Sequence, residues 1–311
     1  MQADSITVTE RLITGFSDLA WGTPLLILLL GGGLFFLLYS RMLPFRYFRH
    51  AIAILRGKYD DPDEPGQINH YQALSTALAA TVGMGNITGV ALALTMGGPG
   101  AIFWMWVSAL LGVTTKYFTC TLAVMFRGRD SRGELQGGPM YVIVEGLGRN
   151  WKPLAIFFSL MGMIGVLPMF QVNQLTQVVR DVVLIPNHVA AGFSSDLISG
   201  LIVALLVGVV IFGGIKRIGK VTGRMVPLMV ALYVVLVLYI IFSNAGRIGP
   251  SFALIFRDAF SAESVLGGSL GALVITGVRR AAFSNEAGIG TAPMAHGAAT
   301  VSYTHLRAHE T

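Results

Sequence analysis

The chain has 311 residues, of which 54% are hydrophobic and only 12% charged, about half the charged share of an ordinary soluble domain. So few ionic side chains cannot coat a soluble surface of this size, which excludes most soluble enzyme classes and any disordered reading. The net charge of +6 does not mark a nucleic-acid binder, because Lys and Arg sit between apolar runs, and the one cysteine, Cys120, admits no internal disulfide.

A helix needs about 20 apolar residues to cross the hydrocarbon core. In chain order the candidates are span 1 (Trp21–Tyr39), span 2 (Ala73–Met96), span 3 (Ala101–Phe126), span 4 (Leu154–Val179), span 5 (Leu197–Ile215), span 6 (Val226–Phe242) and span 7 (Leu266–Thr300). Between spans 1 and 2, Leu43–Leu55 mixes Phe45, Phe48, Ile52 and Leu55 with Arg46 and Arg49, the pattern of an interfacial amphipathic helix. Asp60–Gly66 reads as a solvated loop, and Gly137-Gly138-Pro139 as the start of a short helix. The loops at 40–70, 126–152 and 214–226 hold 14 of the 22 Lys and Arg residues, and the alternating loops hold 4. Basic loops stay cytoplasmic, so the N-terminus is expected outside and the end of span 7 inside, in a multi-pass protein of the cell membrane.

Spans 2 and 7 are interrupted. Span 2 carries Thr81-Val82-Gly83-Met84-Gly85-Asn86-Ile87-Thr88-Gly89, and span 7 carries Phe283-Ser284-Asn285-Glu286-Ala287-Gly288-Ile289-Gly290. Either segment alone is equally read as close helix packing. Together they are five spans apart and cross in opposite directions, as the broken first helices of an inverted repeat would. Unwound backbone in such a fold offers N–H groups to an anion and carbonyls to a sodium ion, which suits a zwitterionic amino acid.

At these residues the chain resembles the alanine-or-glycine:cation symporter family. The likeness also covers Thr115-Lys116-Tyr117, Gly137-Gly138-Pro139-Met140-Tyr141 and Gly213-Gly214-Ile215-Lys216-Arg217-Ile218, in family order over about residues 20–300. The resemblance implies a leucine-transporter-like core of usually eleven spans and sodium-coupled, sometimes proton-coupled, uptake of alanine or glycine by alternating access. Carried over, it puts the substrate carboxylate at Gly83, Gly85 and Asn86, a substrate-facing amide at Gln171, and backbone carbonyls with an aromatic wall at Phe283 and Ser284. Sodium ligands fall on carbonyls near Ala79 and Val82, with the Asn86 side chain a weaker candidate. Where the family usually has Glu three residues after the span 3 Lys, this chain has Thr119, so Lys116 lacks that local partner. Spans 8–11 are missing, and residues 301–311 break the apolar pattern; the expectation is an incomplete transporter domain over 1–300 followed by a non-native tail.

Three readings stay open beside sodium symport: a proton-coupled relative using Glu286, a non-transporting receptor, and a degenerate fragment. Glu286 is the one carboxylate inside a candidate span, placed either for gating or structure, by pairing with Arg279 or Arg280, or for ion coupling. In span 4, Gln171 and Gln174 share one helix face and Asn173 and Gln177 another, so at least one pair is expected to bond between helices. Pro168 kinks that span. Trp104 and Trp106 read as interfacial anchors. Outside the segment expected to be a non-native tail, which holds His305 and His309, no histidine pair has metal-ligand spacing, and no nucleophilic triad or phosphate loop is visible.

Overall fold

In a computed structural model, residues 8–59, 63–189, 192–260 and 269–301 are described. The segment 302–311, expected to be a non-native tail, lies outside them, as do residues 60–62 of the acidic loop and 266–268 at the start of span 7. The chain is all-α; among the described residues the one sheet is a two-residue hairpin, β1 (Gly128–Arg129) with β2 (Leu135–Gln136).

The helices are α1 (Val8–Ala20), α2 (Thr23–Leu26), α3 (Gly32–Tyr39), α4 (Leu43–Arg46), α5 (Phe48–Leu55), α6 (His70–Thr81), α7 (Met84–Gly97) and α8 (Gly100–Met125). After the hairpin come α9 (Pro139–Tyr141), α10 (Lys152–Gly165), α11 (Met169–Val178), α12 (Phe193–Ile211), α13 (Gly214–Ser243) and α14 (Ala245–Ala259). The last two described helices are α15 (Ser269–Asn285) and α16 (Thr291–Gly297). The chain divides into two compact units. The first holds Met1–Arg46, Gly89–Tyr117 and Asn244–Gly288; the second holds Tyr47–Thr88, Phe118–Ser243 and Ile289–Thr311.

Among the described residues four stretches are long and apolar enough to cross a membrane: Glu10–Tyr39, Gly100–Met125, Phe193–Ile211 and Gly214–Ser243; the pair α6 and α7, bent by 45°, makes a fifth if it is one broken span. Spans 4 and 7 are present as helix pairs, α10 with α11 and α15 with α16, each too short alone to span. Span 4 stops at Gly165 and resumes at Met169 with Pro168 as the N-cap, where its ring interrupts the backbone ladder.

Three boundaries differ from the sequence reading. Helix begins at Val8, ahead of span 1, because Val8–Ala20 is amphipathic and so escapes an apolar count. Span 5 ends at Ile211, four residues early, at a turn closed by Gly214 with φ 67°. The basic stretch 214–226 is not a loop but the first three turns of α13. Its small and apolar residues Ile218, Gly219, Thr222 and Val226 recur at helical spacing and turn inward, leaving Lys216, Arg217, Lys220 and Arg224 exposed.

In the second unit α13 packs along α6. Gly219 lets the two helices approach, since a Cβ there would lie 2.9 Å from the Ile68 side chain, and the Thr76 and Thr222 hydroxyls share a 3.0 Å hydrogen bond. An Asn69–Gln72 capping box starts α6. In the first unit the N-terminal end of span 3 meets α14, a helix in a stretch that the hydropathy pattern assigns to loop. Phe103 stacks edgewise on Phe256 and Phe260, Trp106 contacts Phe252, and the Asp258 carboxylate accepts from the Gly100 N–H at 2.7 Å, capping α8.

Candidate functional site

The first interruption lies where the sequence places it. Helix α6 ends at Thr81, Val82 is extended (φ −100°, ψ 92°), and α7 starts at Met84. A helix end releases its last carbonyls and a helix start its first N–H groups. Here the carbonyls include those of Ala79 and Val82, and the N–H groups those of Gly83 and Gly85. The Leu78 carbonyl is closed by the Val82 N–H at 2.7 Å, and the Gly83 carbonyl accepts from Asn86 and Ile87 at 3.0 and 3.3 Å. A Cβ on Gly83 would meet nothing within 4 Å, so the bare backbone stands beside open space. Gly85 is buried and Asn86 half-buried.

The second interruption is later than the sequence segment suggests. Phe283 and Ser284 lie in the last turn of α15, and the chain leaves the helix only over residues 286–290. The Ala282 carbonyl accepts from the Glu286 N–H at 2.9 Å, and the Asn285 side chain then turns the backbone by accepting from Ala287 N–H at 2.9 Å. Glu286 itself is left-handed (φ 53°), as are Gly288 and Gly290. A non-glycine residue there costs about 1 kcal/mol or more. Asn285 was not singled out from sequence, although Asn before a Gly-rich run is a turn signal; Gly112 on α8 leaves room for it.

Ala79, Val82, Gly83, Gly85, Asn86 and Gln171 fall in the second unit; Lys116, Phe283, Ser284 and Glu286 fall in the first. Gln171 is exposed on α11, and its neighbour one turn on, Gln174, accepts from the Thr88 hydroxyl at 3.3 Å. Gln174 thus meets α7 one residue past the Gly83–Ile87 segment, and Gln171 is not brought to it. Lys116 is half-buried in the middle of α8.

Each unit has a cavity along a helix that leads to one of the interruptions. In the second unit a cavity of about 430 Å³ runs along α6 from Thr76 to Ala80, between Thr291 and Met294 of α16 and the Asp130–Tyr141 segment. In the first unit a cavity of about 250 Å³ reaches Phe283 and is lined by Arg279 and Arg280. Arg279 donates from Nε to the Trp21 carbonyl. Beside the larger cavity, burial pushes the Asp130 carboxyl up, but the N–H groups of Glu134 and Arg132 and the Arg132 guanidinium outweigh it and hold it below its ordinary 3.8. The Tyr141 phenol is raised by burial and by the nearby Asp130 charge. Among the described residues no group of His, Cys, Asp or Glu is arranged to hold a metal ion.

Compared with known families, residues 6–307 match the sodium:alanine symporter family. The chain belongs to that family. Sodium:alanine symporters are transporters and not enzymes, and membership with the apolar helices makes this a multi-pass membrane protein. The sodium/alanine symporter AgcS of Methanococcus maripaludis is 41% identical over 298 residues, 94% of this chain and 64% of AgcS. An uncharacterised transporter of Haemophilus influenzae is 43% identical over 296 residues, 93% of this chain and 62% of its own length. The probable sodium/glutamine symporter GlnT of Bacillus subtilis is 36% identical over 297 residues, 95% of this chain and 60% of GlnT. The chain spans about three fifths of the length of these curated relatives.

Proposed function

We propose that this chain carries the broken-helix part of a sodium-coupled symporter for a small amino acid, alanine or glycine, working by alternating access. The observation that carries the reading is the pair of interrupted spans, at Val82–Gly83 and at 286–290, in a chain of the sodium:alanine symporter family. Such breaks leave oriented backbone groups facing a polar ligand, which lipid alone would not tolerate. In this reading the N–H groups of Gly83 and Gly85, with Asn86, hold the substrate carboxylate. The carbonyls of Ala79 and Val82, helped by the Asn86 side chain, hold sodium. Gln171 orients the amino group, and Phe283 and Ser284 supply a wall and last-turn carbonyls. Glu286, held left-handed at the second break, and Lys116 act in gating or in holding structure. The core is read as an inverted repeat of the leucine-transporter kind, with the N-terminus outside.

Alanine fits the bare glycines of the first break, and the open space at Gly83 suits a small ligand. The similarity to GlnT, named for glutamine, makes side-chain size the quantity to test. The chain is reconstituted in liposomes, and labelled alanine, glycine and glutamine uptake is followed with and without an inward sodium gradient. Sodium-dependent alanine or glycine uptake that Gly85→Leu and Gln171→Ala each abolish is the expected result. Uptake unchanged in both variants would sink the site assignment, and uptake driven by a pH gradient without sodium would replace sodium coupling by proton coupling.

A further inference from the structure

The 250 Å³ cavity of the first unit brings together Arg279, Arg280, Thr276, Ser17, Trp21 and Phe283. Helix α15 rises 1.5 Å per residue, so Arg280 lies about 9 Å from Glu286, where the helix breaks. If the break sits near mid-depth, both guanidiniums are inside the hydrocarbon core, where charge is costly and its retention marks function. Adjacent guanidiniums also repel one another, which raises the cost of leaving both without a counter-charge.

Arg132–Asp130 and Arg180–Asp196 form ion pairs, and among the described residues neither Arg279 nor Arg280 forms one. Arg279 is fixed by the Trp21 carbonyl, a neutral acceptor that leaves its charge uncompensated. Arg280 lies over the backbone of Gly89, where a Cβ would stand 4.0 Å from its Nη1, at ordinary van der Waals contact. Two neighbouring cations, one of them held by the Trp21 carbonyl, the hydroxyls of Ser17 and Thr276, and a volume of 250 Å³ call for a small anion. The planar fork of a guanidinium matches the two oxygens of a carboxylate better than it matches a spherical ion. The far wall is Phe283, which the symport reading also makes a wall of the central site.

We propose that this cavity is a second, separate binding site, an antechamber in which Arg280, backed by Arg279, holds the carboxylate of a small amino acid next to Phe283. The identity of the passing ligand rests on the symport reading; the carboxylate selectivity rests on the cavity alone. With α15 running inward, the two arginines precede Phe283 on the path from outside.

The full chain in lipid nanodiscs is treated with phenylglyoxal, and adducts at Arg279, Arg280 and the exposed Arg132 are quantified by mass spectrometry. At constant ionic strength, chloride is partly replaced by acetate, or alanine or ethylamine hydrochloride is added. Acetate and alanine are expected to slow modification of Arg280 at least three-fold relative to chloride alone, with ethylamine inert and Arg132 unaffected. Protection by alanine is expected to persist in Gln171→Ala, which separates this site from the central one. Absence of protection by acetate, equal protection by ethylamine, equal slowing at Arg132, or loss of alanine protection in Gln171→Ala each overturns the antechamber. Failure of sodium-driven uptake with acetate protection intact overturns the symport reading and leaves the carboxylate site standing.

Discussion

Arg127, at the foot of α8, shows how one side chain holds the second unit together. One of its Nη groups donates to the carbonyls of Pro65 at 3.1 Å and Val301 at 2.9 Å, and the other to that of Ala299. It therefore ties the segment entering α6 to the segment leaving α16, which also meet through Gln67 and Ile68 N–H to the Ala298 carbonyl and Thr300 N–H to that of Ile68. A hydrogen bond from a charged donor is worth about 1.5–3 kcal/mol, so Arg127→Ala is expected to destabilise the chain by about 3 kcal/mol. Arg127→Lys should recover less than half, since an ammonium lacks the fork that serves three carbonyls at once. Thermal unfolding of the purified chain in detergent reads both, and an unchanged midpoint for Arg127→Ala would contradict the clamp. Asp130 gives a pH test in the adjoining hairpin. Its Oδ1 accepts from the N–H groups of Arg132 and Glu134, each at 2.9 Å, and its pKa is lowered from 3.8. A depressed folded-state pKa contributes stability above the unfolded value and loses it as pH falls through the folded one. Amide exchange at Arg132 and Glu134 should therefore accelerate, after correction for intrinsic rates, only below about pH 3.8 in the native chain, and at all pH values in Asp130→Asn. The sequence reading counted Arg127 only as one loop cation among fourteen, because its partners are backbone carbonyls more than 60 residues away on either side.

At the scale of elements, glycines of similar appearance in the sequence do different work. Gly137, before α9, and Gly297, ending α16, touch backbone to backbone; a Cβ on either would lie 2.6 Å from the other's Cα. Neither backbone is the end of a flexible side chain, so Gly297→Ala must push two elements apart, at about 1–3 kcal/mol. Gly83 meets open space, so Gly83→Ala should shift the unfolding midpoint little while abolishing alanine uptake, by filling the space assigned to the carboxylate. Comparing midpoint and uptake for the two variants checks this, and equal destabilisation by both would contradict it. What sequence could read follows from the same contrast. Hydropathy located the spans because apolar length is a property of a run, and the first interruption was legible because glycines and polar residues stand out inside one. Helix faces were harder. Helix α14 mixes Phe252, Phe256 and Phe260 with Arg247, Arg257 and Asp258, so an average over its residues reads as loop although its aromatic face packs on α8. The start of α13 was missed for the same reason. The resemblance put the second break on Phe283 and Ser284, at the start of the polar and glycine-rich segment 283–290, whereas the left-handed turn begins only at Glu286. Gln171 was reached through the resemblance, and the interhelix bond expected of one of the two amide faces is made by Gln174, to Thr88.

At the scale of the whole molecule, the distribution of 14 against 4 basic residues between alternating loops makes orientation a physical prediction. The structure sharpens where to test it. Helix α13 has 30 residues, or about 45 Å, against a core of about 30 Å. Its apolar part, Val226–Phe242, covers about 25 Å of that core, so its basic first turns are placed towards the headgroup region. Lys220 is exposed and lies about 9 Å of helix before Val226. At the other end, Arg247 is exposed in α14, just past Ser243. The one native cysteine, Cys120, is half-buried in α8 and is replaced by serine to give a silent background. In intact cells a membrane-impermeant maleimide is expected to label Arg247→Cys and to spare Lys220→Cys until the membrane is permeabilised. Removing a single cation leaves 13 against 4 or 14 against 3, so neither substitution reverses the bias it reports. The reverse labelling pattern would put the N-terminus inside. It would also invert the direction of α15, so that Arg279 and Arg280 would meet a ligand leaving Phe283 rather than one arriving.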